Sequence, residues 1–165
     1  MKLFTKLPVL VLMAFFALSS CTSDSIDDNA EAMKMSLKTP EPKAIELEIL
    51  ELINNHRLSM GLNPLEDMQI IKSVAFSHTD YMVDKDEVSH HNFFTRSDYL
   101  KSNAGAKKVS ENVAFGYSSA ESVVKAWIRS DAHKHNLEGD FTNFDVSAEM
   151  NEDGRWYFTN IFMKK

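Results

Sequence analysis

Apolar residues recur every three to four positions in two long stretches of the chain, which are separated by Gly61 and an Asn63-Pro64 turn. The first stretch runs from Pro42 to Met60, with Ile45, Ile49, Leu52, Ile53 and His56 on one face. The second runs from about Glu66 to Asp84, with Ile70, Ile71, Val74, Ala75, His78, Tyr81 and Met82 on one stripe. This period predicts two amphipathic helices, because it matches one face of an α-helix.

The end of the chain shows the two-residue period of strands instead. Apolar side chains alternate from Phe144 to Met150 and return from Trp156 to Met163, with a Gly-containing turn at 151–154 between them. This pattern predicts an antiparallel hairpin. Weak alternation from Val109 to Phe115 predicts an edge strand.

Two further helices complete the predicted secondary structure. One covers about Phe94 to Ser102, and the other begins at Ser118, where Ser118 and Glu121 have the spacing of a capping box. Helices that cover a small, largely antiparallel sheet belong to the α+β class.

The first 20 residues have the pattern of an export signal. Lys2 and Lys6 precede the 12-residue apolar run Leu7–Leu18, which is too short to span a bilayer. The sequence Leu18-Ser19-Ser20-Cys21 resembles the lipobox of bacterial lipoproteins. We therefore predict a signal peptide over 1–20 and a lipidated N-terminus, bearing palmitate-type acyl chains, at Cys21. An ordinary secretory signal is the alternative.

A polar segment follows Cys21. The polar composition of residues 21–40 predicts a flexible linker with an end-to-end distance of roughly 20–25 Å. Residues 41–165 are predicted to form one domain. Acidic residues directly after Cys21 resemble the surface-export signals of some lipoproteins. We therefore expect an exported, membrane-anchored protein of the outer membrane, exposed at the cell surface.

Composition narrows the partners further. The net charge is −6, and loss of the two lysines in residues 1–20 changes it to −8, which argues against nucleic acid as a partner. The single cysteine forms no internal disulfide, so the core must be stable without one. A G-x-S-x-G nucleophile motif is absent.

Several short segments, in order, resemble one family. They are Leu52–Arg57 with Gly61–Leu65, Ser89-His90 with Phe93 and Arg96, Ser110–Gly116, Ser119–Glu121 with Trp127, His133–Leu137, and Phe158–Phe162. Together they resemble the CAP superfamily of cysteine-rich secretory, antigen 5 and pathogenesis-related 1 proteins, also called SCP-like extracellular domains. The resemblance covers roughly residues 45–163 and implies a single three-layer α-β-α sandwich.

The resemblance also implies a cleft that contains two His and two Glu. His90 and Glu111 match two of these positions, whereas the second Glu falls on Ser130 and the second His on Tyr157. Bacterial members place a His one helical turn later, at His133. The candidate cleft therefore consists of His90, Glu111, His133, Ser130, Tyr157 and Asn160.

These side chains suggest two kinds of chemistry. His90 and His133 are candidate ligands of a divalent metal such as zinc, with Glu111 as a third ligand or a proton acceptor. The alternative is a polar network that only stabilises the fold. Ser130 near His133 could imitate a Ser–His pair, although most serines at helix ends serve as caps. His78, on an apolar helix stripe, is predicted to be a core or cleft-floor residue.

Three functions remain open from the sequence. The first, which we favour, is an envelope-anchored binding module without enzymatic activity that presents its cleft to a lipid, a glycan or an envelope protein. The second is a metal-assisted hydrolase with His90 and His133 as ligands and Glu111 as general base. The third is a structural envelope lipoprotein.

Overall fold

The computed structural model of the protein describes residues 38–165. The predictions for the signal peptide, for Cys21 and for nearly all of the linker lie outside the described residues. Within 38–165, no helix combines the length and the hydropathy that crossing a membrane requires.

Five helices and four strands make up the described part of the chain. The helices are α1 (Ala44–Ser59), α2 (Gln69–Lys85), α3 (Phe93–Ala104), α4 (Ala120–Arg129) and α5 (Asp131–Leu137). The strands are β1 (Glu66–Asp67), β2 (Lys108–Phe115), β3 (Asn143–Met150) and β4 (Trp156–Lys164).

The strands form one sheet in the order β1-β3-β4-β2. The short strand β1 is parallel to β3, while the β3–β4 and β4–β2 pairs are antiparallel. Strand β2 therefore lies at an edge, as predicted. This edge carries the candidate site.

Each face of the sheet is covered by its own apolar cluster. Side chains of α1, α4 and α5 pack on one face with Phe144, Phe158 and Phe162. Side chains of α2 and α3 pack on the other face with Ile161 and Met163. The alternation along β4 separates the two sets, because successive strand residues point to opposite faces. The α+β class and the three-layer α-β-α sandwich are confirmed.

Two predicted boundaries are corrected. Helix α2 begins at Gln69, because Glu66 and Asp67 pair with β3 instead of starting the helix. The N-cap of α4 is Ser119, whose hydroxyl accepts from the Ser122 amide at 3.2 Å, while the Ser122 hydroxyl accepts from the Ser119 amide. The capping box thus lies one residue later than predicted.

Two buried side chains close the other edge of the sheet. Strand β1 pairs with only the first two residues of β3, so the edge beyond them lacks a neighbouring strand. There, the Glu46 carboxylate accepts from the Ala148 amide at 2.8 Å and the Lys72 ammonium donates to the Val146 carbonyl at 2.8 Å. Glu46 and Lys72 also form a buried ion pair with each other. Covering an open edge in this way prevents pairing with another strand.

Candidate functional site

Glu111 is the centre of the candidate site. It lies on β2, on the sheet face that carries α2 and α3, and its side chain is 1% exposed. The Arg96 guanidinium from α3 donates from Nε to Oε2 and from Nη2 to Oε1, both at 2.8 Å. Such a bidentate pair holds the carboxylate in one orientation.

His90 is the exposed member of this cluster. Its Nδ1 lies 2.9 Å from Oε1 of Glu111, and its side chain is 53% exposed. Because an ionised carboxylate only accepts hydrogen bonds, the Nδ1 proton is donated to Glu111. The contact therefore fixes the ring and leaves Nε2 for a ligand.

His78 from α2 lies beneath these residues. Its Nε2 is 2.7 Å from the Ser89 carbonyl and 3.9 Å from Oε1 of Glu111. Burial, followed by the charge of Arg96, lowers the pKa of His78 to about 4. The ring is therefore neutral at pH 7 and donates to Ser89, which agrees with the predicted position at the cleft floor.

Opposing effects act on the acidity of Glu111. Burial by itself raises the pKa of its carboxyl group, but the hydrogen bond from His90 and the ion pair with Arg96 outweigh burial. The net result is a pKa below the ordinary value. Glu111 is consequently a buried anion at neutral pH and a poor proton acceptor.

His133 reaches the site from the opposite side of the β2 edge, on α5. Its Nδ1 lies 2.8 Å from Oγ of Ser130. Burial and then the charge of nearby His90 lower the pKa of His133 below its ordinary value.

Amide side chains attach α5 to the edge of β2. The Asn112 amide donates to the His133 carbonyl at 3.1 Å. The Asn136 amide donates to the Glu111 carbonyl at 3.3 Å and to Oδ1 of Asn112 at 2.8 Å. Asn112 accordingly acts as a backbone-capping residue, and both asparagines fix His133 relative to Glu111.

A cleft of about 240 Å³ opens between these elements. Its lining consists of His90, Phe93, Val109, Ser110, Glu111 and Asn136. An aromatic ring, an imidazole and an amide around a strand edge offer both apolar contact and hydrogen bonds to a ligand.

Two predicted cleft walls lie elsewhere. Asn160 is fully buried and points to the opposite face from Glu111, because its neighbour Ile161 is the residue that pairs with Glu111. Tyr157 lies on β4 four residues before Ile161, which is the partner of Glu111, and the two positions are about 13 Å apart along the strand. The Tyr157 hydroxyl donates to Asp86 at 2.8 Å. Ser130 lines a neighbouring cavity and lies beside His133 through their 2.8 Å hydrogen bond. Of the predicted set, the structure places His90 against Glu111 and Ser130 against His133.

Glu111 does not fit the role of a metal ligand or a general base. Its oxygens are engaged by Arg96 and His90, and no group of three His, Cys, Asp or Glu side chains within 38–165 is arranged to hold a metal ion. A divalent ion held by His90 and His133 stays a prediction.

The residue that sequence reasoning missed is Arg96. In the sequence, Arg96 stands out only as part of the Ser89-His90 segment, although it makes the strongest contact with Glu111. The signal that could have found it is general, since a buried carboxylate requires a cationic partner.

The model of the Cysteine-rich secretory protein family, CAP, matches residues 50–162, and the chain belongs to this family.

Two curated relatives come from Bacillus subtilis (strain 168). The protein YkwD is 32% identical over 124 residues, covering 71% of this chain and 48% of YkwD. The membrane protein YlbC is 31% identical over 124 residues, covering 73% of this chain and 34% of YlbC. The chain thus spans about half of the first relative and a third of the second.

Two solved structures share the fold. An outer surface protein from Borrelia burgdorferi has a TM-score of 0.64 and 23% identity, over 71% of this chain and 90% of that one. An extracellular protein containing a SCP domain from Bacillus anthracis str. Ames has a TM-score of 0.62 and 27% identity, over 73% of this chain and 40% of that one.

Proposed function

We propose that this protein is an exported binding module of the bacterial cell envelope, whose cleft holds a lipid, a glycan or another envelope protein. The observation that carries the proposal is the arrangement of His90. Its Nδ1 is bound to a buried carboxylate, while more than half of its side chain is exposed at the cleft. A ring fixed in this way is prepared to bind through Nε2 at little entropic cost.

Binding is favoured over hydrolysis because Glu111 is already satisfied. A general base must accept a proton, whereas this carboxylate accepts three hydrogen bonds and has a lowered pKa. A metal-assisted hydrolase would have to break the Arg96 contact before Glu111 could act.

The envelope location is part of the proposal. Relatives described as an outer surface protein and an extracellular protein support export. We propose in addition that lipid on Cys21 anchors the chain to the membrane. Growth with radioactive palmitate should label the wild type but not Cys21→Ser, and labelling of both would disprove the anchor.

A ligand panel tests the cleft. The full chain in nonionic detergent would be titrated with lipids, cell-wall glycans and Zn²⁺, together with His90→Ala and His133→Ala. The matched control is His135→Ala, an exposed histidine on the same helix as His133. We expect a ligand that loses affinity in the first two variants and keeps it in the control. Equal affinity in all four proteins would refute the proposal.

The same variants separate binding from a purely structural role. If the cleft residues only stabilise the fold, His90→Ala should lower the free energy of unfolding without changing the affinity for any ligand. The buried Glu111–Arg96 pair gives this alternative its basis.

A further inference from the structure

A second cavity lies against α4, outside the Glu111 cluster. Its volume is about 590 Å³, and it is lined by Tyr117, Ser122, Lys125, Ala126, Arg129 and Ser130. Ser122, Lys125, Ala126 and Arg129 recur at three- and four-residue steps, so they share one side of the helix. Only a methyl group projects from Ala126, which leaves room between the longer side chains.

Hydrogen-bond donors in this cavity are available to a ligand. Arg129 makes no ion pair or hydrogen bond with any other residue in the described part of the chain, so all five of its N–H groups are free. Lys125 donates to Glu121 at 2.6 Å, which uses one of its three N–H groups. The hydroxyl of half-buried Tyr117 has no partner among residues 38–165 either.

The local charge is opposite to that of the whole protein. The lining of this cavity contains two cations, Lys125 and Arg129, and no carboxylate, in a chain of net charge −6. A locally positive cavity on a negative protein favours an anion at this place and repels it elsewhere.

We propose that this cavity binds a phosphoryl group carried by a small hydroxylated molecule, such as a glycerol or sugar phosphate. A guanidinium donates to two phosphate oxygens at once, and an ammonium and a phenol supply further donors to the same group. The cavity is much larger than a phosphate ion. The Ser122 and Ser130 hydroxyls in its lining already hydrogen-bond with Ser119 and His133, and each can take part in one more hydrogen bond with a hydroxyl group of the ligand. None of His90, Glu111 and His133 lines this cavity, although Ser130 is hydrogen-bonded to His133, so the proposal does not require a ligand at the cleft.

Calorimetric titration of the full chain tests the site, in nonionic detergent and phosphate-free buffer of low ionic strength. The probes are glycerol 1-phosphate, the diester glycerophosphoglycerol, and glucuronate as a carboxylate of similar size. The central variant is Arg129→Gln. Lys101→Gln removes an exposed charge from α3, on the opposite side of the sheet, and is the matched control.

We expect saturable binding of at least one phosphate ester. Arg129→Gln should weaken it by about tenfold or more, because a hydrogen bond to a charged group is lost. Lys101→Gln and His90→Ala should bind as the wild type does. The ratio of diester to monoester affinity then distinguishes a lipid headgroup from a free phosphate ester.

Several results would overturn the proposal. The first two are the absence of saturable binding for both esters and an unchanged ester affinity in Arg129→Gln. The third is binding of glucuronate with the same affinity as the esters. The fourth is a loss of ester affinity in His90→Ala as large as that in Arg129→Gln, which would assign the ligand to the cleft. Because Arg129 is exposed, its replacement should leave the melting temperature unchanged, and that measurement verifies that the variant is folded.

Discussion

Replacing Arg96 with Met should destabilise the protein strongly. The change removes two hydrogen bonds of 2.8 Å to Glu111 and one of 2.6 Å to the His91 carbonyl. It leaves a carboxylate that is 1% exposed without its cationic partner. Breaking a buried ion pair on one side typically costs about 3–5 kcal/mol, a large share of the roughly 5–15 kcal/mol that stabilises a small domain.

Urea denaturation of four proteins measures this effect: the wild type, Arg96→Met, Glu111→Gln and the double variant. Each single variant leaves one charge buried and unpaired, whereas the double variant leaves none. We therefore expect the double variant to lose about 1–3 kcal/mol less than the sum of the two single losses. Lys101→Met, which breaks an exposed pair with Asp98, should change stability by less than about 0.5 kcal/mol. Additive losses in the single and double variants would refute the assignment of Arg96 as the partner of Glu111.

The pH dependence of Arg96→Met supplies a second readout. Against the effect of burial, the hydrogen bond from His90 and then the contacts with Arg96 lower the pKa of Glu111. A depressed carboxyl pKa adds stability that is lost as the pH falls through the folded-state value. The difference in free energy of unfolding between wild type and variant should therefore narrow in acid. A constant difference from pH 7 to pH 3 would contradict the electrostatic explanation.

Three further perturbations follow from the buried polar groups. The folded-state pKa of His78 is lowered to about 4, so the free energy of unfolding should fall by up to about 3 kcal/mol as the pH drops from 6.5 towards 4. His78→Gln should flatten this part of a plot of melting temperature against pH. An unchanged slope in the variant would disprove the prediction. Burial raises the pKa of Asp145 from 3.8 to about 6, so ionisation of its carboxyl group opposes folding increasingly as the pH rises between these two values. Asp145→Asn should therefore raise the melting temperature more at pH 7.5 than at pH 5, and equal gains would contradict the prediction. Glu46→Ala leaves Lys72 and the Ala148 amide without their buried partner and should cost about 3–5 kcal/mol in chemical denaturation, whereas Glu48→Ala, at an exposed position of the same helix, should cost less than about 0.5 kcal/mol.

Much of the secondary structure could be predicted from the sequence. Helix α1 and the strands β3 and β4 lie within two residues of their predicted bounds. Such elements are visible in the sequence because their periods come from neighbours a few positions apart. The boundaries that were wrong, at Gln69 and Ser119, depend on a competing contact: β1 pairs with β3, and Ser122 reciprocates the cap of Ser119.

The sequence by itself determined the helix and strand periods and, through its resemblance to the CAP family, predicted that His90 and Glu111 share a cleft. Only the tertiary structure decided which residues lie on the same face of the sheet and which charged groups pair with each other. Asn160 and Ile161 are neighbours in sequence, yet the register of β4 against β2 turns Ile161 towards the face of Glu111 and Asn160 away from it. Arg96 is 15 residues from Glu111 and becomes its partner through the packing of α3 on the sheet. These long-range contacts follow from strand register and from the need to neutralise a buried charge. Neither can be read from the local periodicity of the sequence.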